Sequence, residues 1–302
     1  MLLAAGRSAR LKAVAEGAPP LRPLVDRFVA GTDLDTALPV IGGLAADRLV
    51  TVDHLGENTT DRDGIAATVA AYRTLLLRLT AEGLADRVEV SVKLSALGQG
   101  LPDGAALSLA GAQEICAAAA EAGTTVTVDM EDHTTTDATL ATVAALRADF
   151  PWVAAVLQSQ LRRTEGDCRD LAGPGSRVRL CKGAYDEPAS VAFPDRADVD
   201  RSYVRCLKIL FAGQGLPLVA THDPRLVAIA QHLGRQDGTA RPYELQMLYG
   251  VRPDAQVGLA AAGERMRVYV PYGTQWYGYF LRRLAERPAN VAFFLRALVT
   301  RN

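Results

Sequence analysis

The chain has 302 residues, 49% of them hydrophobic, with 33 Lys and Arg against 34 Asp and Glu for a formal charge of -1. That is ample for one large core, and the balanced charge argues against a nucleic-acid partner, which selects a basic surplus. Cys116, Cys168, Cys181 and Cys206 have no close spacing, so neither a zinc motif nor a disulfide framework is indicated. The N-terminus lacks the continuous apolar stretch of a signal peptide, and no run approaches the roughly 18 apolar residues of a membrane span. A cytoplasmic protein is expected, with peripheral membrane contact left open.

Taken in chain order, residues 1–45 read as helices and connectors, with 32–46 too interrupted to assign. Apolar, β-branched runs then recur every 25 to 35 residues or so: 49–52, 88–92, 125–128, 153–157, 178–181, 216–220, 243–248 and 265–270. Helical patterns lie between them. Residues 65–82 are rich in Ala and Leu, with Gly83 as a C-cap, and 105–121 end at Gly123 in the same manner. Patterns over 136–148, 200–212, 224–233, 254–262 and 276–286 complete the series; 162–171 is the least convincing. Eight β-then-α units in one run favour an α/β fold of the (β/α)8 TIM-barrel type over a doubly wound sheet. The expected organisation is one domain, with an N-terminal helical segment over 1–45 and the barrel over 46–302.

In such a barrel the active site lies at the C-terminal ends of the strands. Polar groups gather there: Asp53-His54, Lys93, Asp129 with Glu131, Gln158, Lys182 to Tyr185, Thr221 to Asp223, and Tyr269. Lys93 on an apolar strand either snorkels outward or pairs at the barrel mouth with a carboxylate, of a substrate or of Asp129; a barrel favours the second. Asp129 either caps the next helix or fixes Lys93 and the edge of a cofactor. The run of Glu131, Asp132 and His133 beside it matches no strong metal motif. Arg179, Lys182 and Gly183 suit a phosphate or a reduced, anionic ring, with Gly183 allowing close backbone approach, and the bland alternative is an ordinary barrel loop. The loop 221–224 leads directly into a helix, whose first N–H groups can receive a phosphate. Near the C-terminus, Arg282 and Glu286 are four residues apart, as are Tyr279 and Arg283; this is a charged outer helix or a clamp of two guanidiniums on a carboxylate. No GxGxxG fingerprint follows a strand.

The strings Ser91-Val92-Lys93-Leu94-Ser95-Ala96-Leu97, Arg179-Leu180-Cys181-Lys182-Gly183-Ala184-Tyr185, Ala220-Thr221-His222, Gln246-Met247-Leu248-Tyr249-Gly250 and Tyr269-Val270-Pro271-Tyr272-Gly273, followed by Tyr279 and Arg282-Arg283, resemble the proline dehydrogenase family. Asp53-His54-Leu55-Gly56-Glu57 fits the same family near the first strand. The resemblance runs in order from about residue 48 to the end, and the length resembles the bacterial monofunctional form.

What the resemblance implies is a distorted barrel holding FAD, hydride transfer from L-proline to the flavin, and Δ1-pyrroline-5-carboxylate as product. It further implies electron transfer to a membrane quinone, transient association with the inner face of the cell membrane, and a pyrroline-5-carboxylate dehydrogenase downstream, the whole being proline catabolism to glutamate. By the same resemblance Lys93, Arg282 and Arg283 bind the substrate carboxylate and Glu286 supports an arginine. Asp129 and Tyr185 form the catalytic set, Asp129 organising the site through Lys93, and Tyr185, Leu248, Tyr269 and Tyr279 enclose the proline ring. Met130, Gln158, Arg179, Lys182, Gly183, Ala184, Thr221 and His222 match cofactor-contacting positions, with Arg196 a weaker candidate near the phosphates. No metal is implied. A phenol at Tyr269 restricts space beside the far ring carbon, which favours proline over hydroxyproline.

Overall fold

Successive strand residues point to opposite faces of a sheet, and this chain uses the two faces for different chemistry. In a computed structural model, which describes residues 22–235 and 241–285, eight strands close into one parallel barrel in sequence order. They are β1 Leu49–His54, β2 Val88–Val92, β3 Val126–Val128, β4 Ala154–Gln158, β5 Arg177–Cys181, β6 Leu216–Ala220, β7 Glu244–Leu248 and β8 Met266–Tyr272. The α-helices that follow them are α3 Arg62–Ala81, α4 Gly104–Ala122, α5 Thr136–Asp149, α6 Thr164–Leu171, α7 Arg196–Ala212, α8 Pro224–Gly234, α9 Pro253–Ala261 and α10 Trp276–Ala285. Among the described residues, α1 Arg22–Asp26 and α2 Leu34–Ala45 precede the barrel. The weakest helical pattern of the sequence, 162–171, thus forms α6.

The outward strand face is apolar. Val50, Val52, Val88, Val90, Val92, Val268 and Val270 join Tyr72, Leu75, Leu76 and Leu79 of α3 and Ile115 of α4 in one buried cluster. Leu180, Val219, Leu245 and Met247 form a second with Tyr203, Leu207, Leu210 and Leu226. Each fully buried leucine or valine contributes roughly 1.5–3 kcal/mol, so the belt between strands and helices supplies most of the stability.

Local chemistry fixes the helix ends. The Asp61 side chain accepts from Gly64 N at 2.8 Å to start α3, and Gly123, with φ +76°, ends α4 in the left-handed conformation that glycine adopts without cost. The unassigned stretch 32–46 contains α2. Asp33 accepts from Thr36 N at 2.9 Å, and Ala37, Leu38, Ile41 and Ala45 are buried. Pro39 removes one helical hydrogen bond, and burial of that face outweighs the loss.

Val25, Phe28 and Val29, in and just after α1, pack with Leu55, Val251 and the α10 residues Trp276, Tyr277, Tyr279, Phe280 and Leu281. The segment before the barrel therefore holds α10 in place. Among the described residues no helix is long and apolar enough to cross a membrane.

Candidate functional site

The inward strand face is polar, and its upper part lines a cleft of about 770 Å³ at the C-terminal ends of the strands. The register explains who meets whom. β1 and β2 pair with Asp53 beside Ser91, so the next inward residue, Lys93, rises next to Asp53. Lys93 Nζ donates to Asp53 Oδ2 at 2.6 Å and to Tyr269 Oη at 3.5 Å, and stands 3.7 Å from Asp129 Oδ2. The expected pairing with Asp129 is present, but it is secondary to Asp53. Burial alone would lower the pKa of this ammonium; Asp53 and Asp129 outweigh it and hold the pKa above the ordinary lysine value.

Asp129 is engaged on both oxygens. Oδ1 accepts from Ser91 Oγ at 2.7 Å and from Arg179 Nη1 at 2.8 Å, while Oδ2 accepts from Tyr269 Oη at 2.7 Å. Burial, followed by the neighbouring Asp129, pushes the Tyr269 phenol well above its usual pKa, so it remains a donor. Arg179 lies 5% exposed, with Nε donating to Gln246 Oε1 at 2.6 Å and its Cζ 5.4 Å from the Tyr269 ring centroid. Its guanidinium faces the cleft from below rather than reaching out of it.

The β5–α7 connection forms the opposite wall. Lys182, Gly183, Ala184 and Tyr185 all line the cleft, as do Met130, Gln158, Arg196, Thr221, His222, Leu248 and Arg283. Gly183 has φ +110°, and a Cβ there would stand 2.3 Å from the Gln160 side chain, so only glycine fits. Lys182 Nζ lies 2.5 Å from Asp200 and 3.5 Å from Asp223. Gln158 Nε2 donates to the Glu131 carbonyl at 2.7 Å. Burial raises the Tyr185 phenol pKa, and Arg282 acts against it, which places that cation near the phenol.

Local contacts engage the polar groups of the neighbouring loops. At the start of α8, Asp223 Oδ1 accepts from Arg225 N at 3.0 Å and Pro224 has no N–H, which leaves fewer open donors there than the sequence offers to a phosphate. His222 Nε2 accepts from Leu248 N at 2.9 Å, so that nitrogen is an unprotonated acceptor tying the β6 and β7 ends together. The carboxylates after Asp129 disperse: Glu131 accepts from Ser95 N and Oγ at 3.0 and 2.7 Å, and Asp132 caps Thr134. His133 instead meets Glu187.

On α10, Tyr279 is buried beneath Arg283, whose Cζ is 5.0 Å from its ring centroid, so the four-residue spacing does bring the two together. Arg282 pairs with Glu57 through its two terminal guanidinium nitrogens, Nη1 at 3.2 Å from Oε2. Burial pulls the Arg282 pKa down, yet Glu57 outweighs it and raises the pKa above its usual value. Glu286, the partner expected from helical spacing, lies outside the described residues. Asp53, Glu57 and Gln246 were present in the motif strings, but nothing in one strand or helix reveals a partner on another.

The family model described as proline dehydrogenase matches residues 44–296. A proline dehydrogenase of Deinococcus radiodurans is 40% identical over 281 residues, covering 91% of this chain and 90% of its own. Proline dehydrogenase 2 of Bacillus subtilis is 38% identical over 282 residues, covering 92% and 91%. Among solved structures, proline utilization A of Bdellovibrio bacteriovorus, inactivated by N-propargylglycine, superposes with a TM-score of 0.81 at 25% identity, covering 88% of this chain. Proline utilization A of Bradyrhizobium japonicum gives a TM-score of 0.74 at 22% identity over 91% of this chain. The chain spans 33% and 32% of the length of those two solved chains.

Proposed function

The chain belongs to the proline dehydrogenase family, and from that premise we propose that it oxidises L-proline to Δ1-pyrroline-5-carboxylate, passing two electrons to FAD and then to a membrane quinone. The observation that carries this reading is the composition of one cleft, in which the cations Lys93 and Arg283 stand with Tyr185, Leu248 and Tyr269. A small amino acid with an anionic carboxylate and an apolar ring needs that combination.

Lys93, Arg282 and Arg283 bind the carboxylate, and Glu57 holds Arg282 in place. Asp53 and Asp129 keep Lys93 charged. Tyr185, Leu248, Tyr269 and Tyr279 enclose the ring and exclude water, so that the carbon beside the nitrogen is presented in one orientation. That carbon loses a hydride while the nitrogen lone pair forms the C=N bond. The amine must be neutral at that moment, its extra proton having already gone to solvent. Asp129 does not serve as the base in this account, since Ser91, Arg179 and Tyr269 occupy its oxygens.

The donor set fits FAD. Lys182 and Arg196 are cations suited to its phosphates, and Gly183 leaves the backbone flush where a Cβ would collide with Gln160 at 2.3 Å. Met130, Gln158, Arg179, Ala184, Thr221 and His222 complete the cofactor wall. When bound, the flavin supplies the ring that accepts the hydride. Return of those electrons to a membrane quinone calls for transient contact with the inner face of the cell membrane. The product's onward oxidation to glutamate calls for a pyrroline-5-carboxylate dehydrogenase.

Anaerobic titration of the FAD-loaded protein with L-proline tests the reading, with the product identified by mass. Loss of the oxidised flavin band together with a product two hydrogens lighter than proline is expected. Flavin left oxidised at saturating proline sinks the proposal.

A further inference from the structure

The interior beneath the cleft carries four cations, Lys93, Arg177, Arg179 and Arg267, against four carboxylates, Asp53, Glu89, Asp129 and Glu244. Glu89 reaches both Arg179 and Arg267, at 3.4 and 3.8 Å, and a neutral side chain makes a second, shorter link between Arg179 and Glu244. Gln246 Nε2 donates to Glu244 Oε1 at 2.7 Å, and Gln246 Oε1 accepts from Arg179 Nε at 2.6 Å. Glu244 is itself fixed, since Arg267 donates to it from Nε at 2.5 Å and from Nη2 at 3.1 Å. Arg267 is anchored in turn by donating from Nη1 to the Val50 carbonyl at 2.7 Å.

These contacts impose a direction. An ionised glutamate only accepts, so Glu244 draws the amide N–H₂ of Gln246 toward itself and leaves the amide oxygen facing Arg179. Arg179 is then held at Nε by Gln246, at Nη1 by Asp129 and Ser91 at 2.8 and 3.2 Å, and more loosely at Nη2 by Thr51 and Glu89 at 3.4 Å each, so Gln246 is the only partner of Nε among the described residues. A methionine at 246 would offer Arg179 no amide oxygen. A glutamate would set two carboxylates against each other and upset the balance of four against four.

We propose that Gln246 is a positioning residue that sets the plane of the Arg179 guanidinium where it lines the cleft and, through Arg179, the seat of Asp129. The proposal rests on the reading of Arg179 as a flavin contact. A cation held close to the ring favours added electron density there, so a misplaced Arg179 makes the bound flavin harder to reduce.

The test combines Gln246→Met with the midpoint potential of the bound FAD, measured by dye equilibration without proline, and with steady-state kinetics. The potential is expected to shift negative. The kcat is expected to fall about tenfold or more, the scale of one lost hydrogen bond to a charged group, with KM for proline within about twofold. In an Arg179→Lys background the same substitution is expected to add almost nothing, because lysine has no Nε for Gln246 to hold. Gln246→Asn, one methylene shorter and unable to reach both partners, carries the same expectation and serves if the methionine variant does not fold.

An unchanged potential and kcat, or losses that simply add in the double variant, overturns the proposal. A wild type that binds FAD but is not reduced by proline defeats the substrate reading while leaving the potential test of Gln246 in force. A wild type that binds no FAD overturns both.

Discussion

Lys93 Nζ donates to Asp53 Oδ2 at 2.6 Å, while Asp129 Oδ2 stands 3.7 Å from the same nitrogen. The lysine therefore answers to two carboxylates of unequal reach, one on the neighbouring strand β1 and one on the far side, just beyond β3. Asp53 is 1% exposed, so it has little water to turn to. The nearer carboxylate sets the ammonium's position, and the farther one is free to serve Arg179 and Tyr269.

Asp53→Ala leaves Lys93 buried with only its distant partner. Breaking a buried pair costs roughly 3–5 kcal/mol, and Asp129 recovers part of it, so a loss near roughly 3 kcal/mol is expected in urea unfolding. The ammonium then swings toward Asp129, and KM for L-proline rises by about an order of magnitude, as for one lost charge-assisted contact. A variant with wild-type stability and KM would remove Asp53 from the account.

The Glu57–Arg282 pair gives a pH dependence with a defined sign. Burial raises the Glu57 pKa, but Arg282 and then Lys93 outweigh it, so the folded value lies below the ordinary 4.5. A depressed carboxylate pKa stabilises the fold above the unfolded value and loses that contribution as pH falls through the folded one. Thermal melts of wild type and Glu57→Gln are therefore expected to differ above the ordinary 4.5 and to converge only as the pH falls through the lowered folded value. A constant difference across that window contradicts the pairing.

Glu89 is the hub of the lower barrel. Its Oε2 accepts from Arg177 at 2.6 Å and from Thr125 at 2.9 Å, and its Oε1 accepts from Thr51 at 2.8 Å and from Thr127 at 3.2 Å. Burial would favour the neutral acid, yet Arg267, Arg177 and Arg179 hold its pKa far below the usual carboxylate range. Glu89→Gln strips the charge facing these three arginines, and a loss of roughly 3–5 kcal/mol is expected by denaturant unfolding. A loss under roughly 1 kcal/mol would show the network to be energetically idle.

Tyr269 has two separable functions in this account. Tyr269→Phe removes the 2.7 Å hydrogen bond to Asp129 and keeps the ring, so kcat/KM for proline is expected to fall while discrimination against trans-4-hydroxy-L-proline stays. The fall should be about tenfold, the scale of one hydrogen bond to a charged group. Tyr269→Ser opens the space beside the far ring carbon, and the preference for proline over the hydroxylated substrate is expected to narrow. Equal discrimination in wild type and Tyr269→Ser would free Tyr269 from the specificity role.

Much of the fold was legible because the outward strand residues, Val50, Val52, Val88 and Val90 among them, are the apolar ones that a periodicity argument sees. The inward ones between them, Thr51, Glu89, Arg177, Glu244 and Arg267, read as interruptions in sequence and become a connected network only when eight strands close on one another. The residues of the cleft are legible through their motif strings, and so are the Lys93–Asp129 and Tyr279–Arg283 contacts, but the shortest pairings are not. Lys93 takes its proton acceptor from β1, 40 residues away, because register decides it. Arg282 takes Glu57, 225 residues away, a partner that helical spacing does not reveal. The stretch 32–46 is too interrupted to assign from its pattern, whereas burial of Ile41 and Ala45 carries α2 through it and past Pro39.

Anaerobic stopped-flow absorbance of the FAD-loaded protein, mixed with L-proline and in parallel with trans-4-hydroxy-L-proline, tests the central claim most directly. Rapid, saturable bleaching of the flavin by proline is expected, with much weaker bleaching by the hydroxylated substrate. Flavin that stays oxidised with proline, or that is bleached as fast by hydroxyproline, would contradict it.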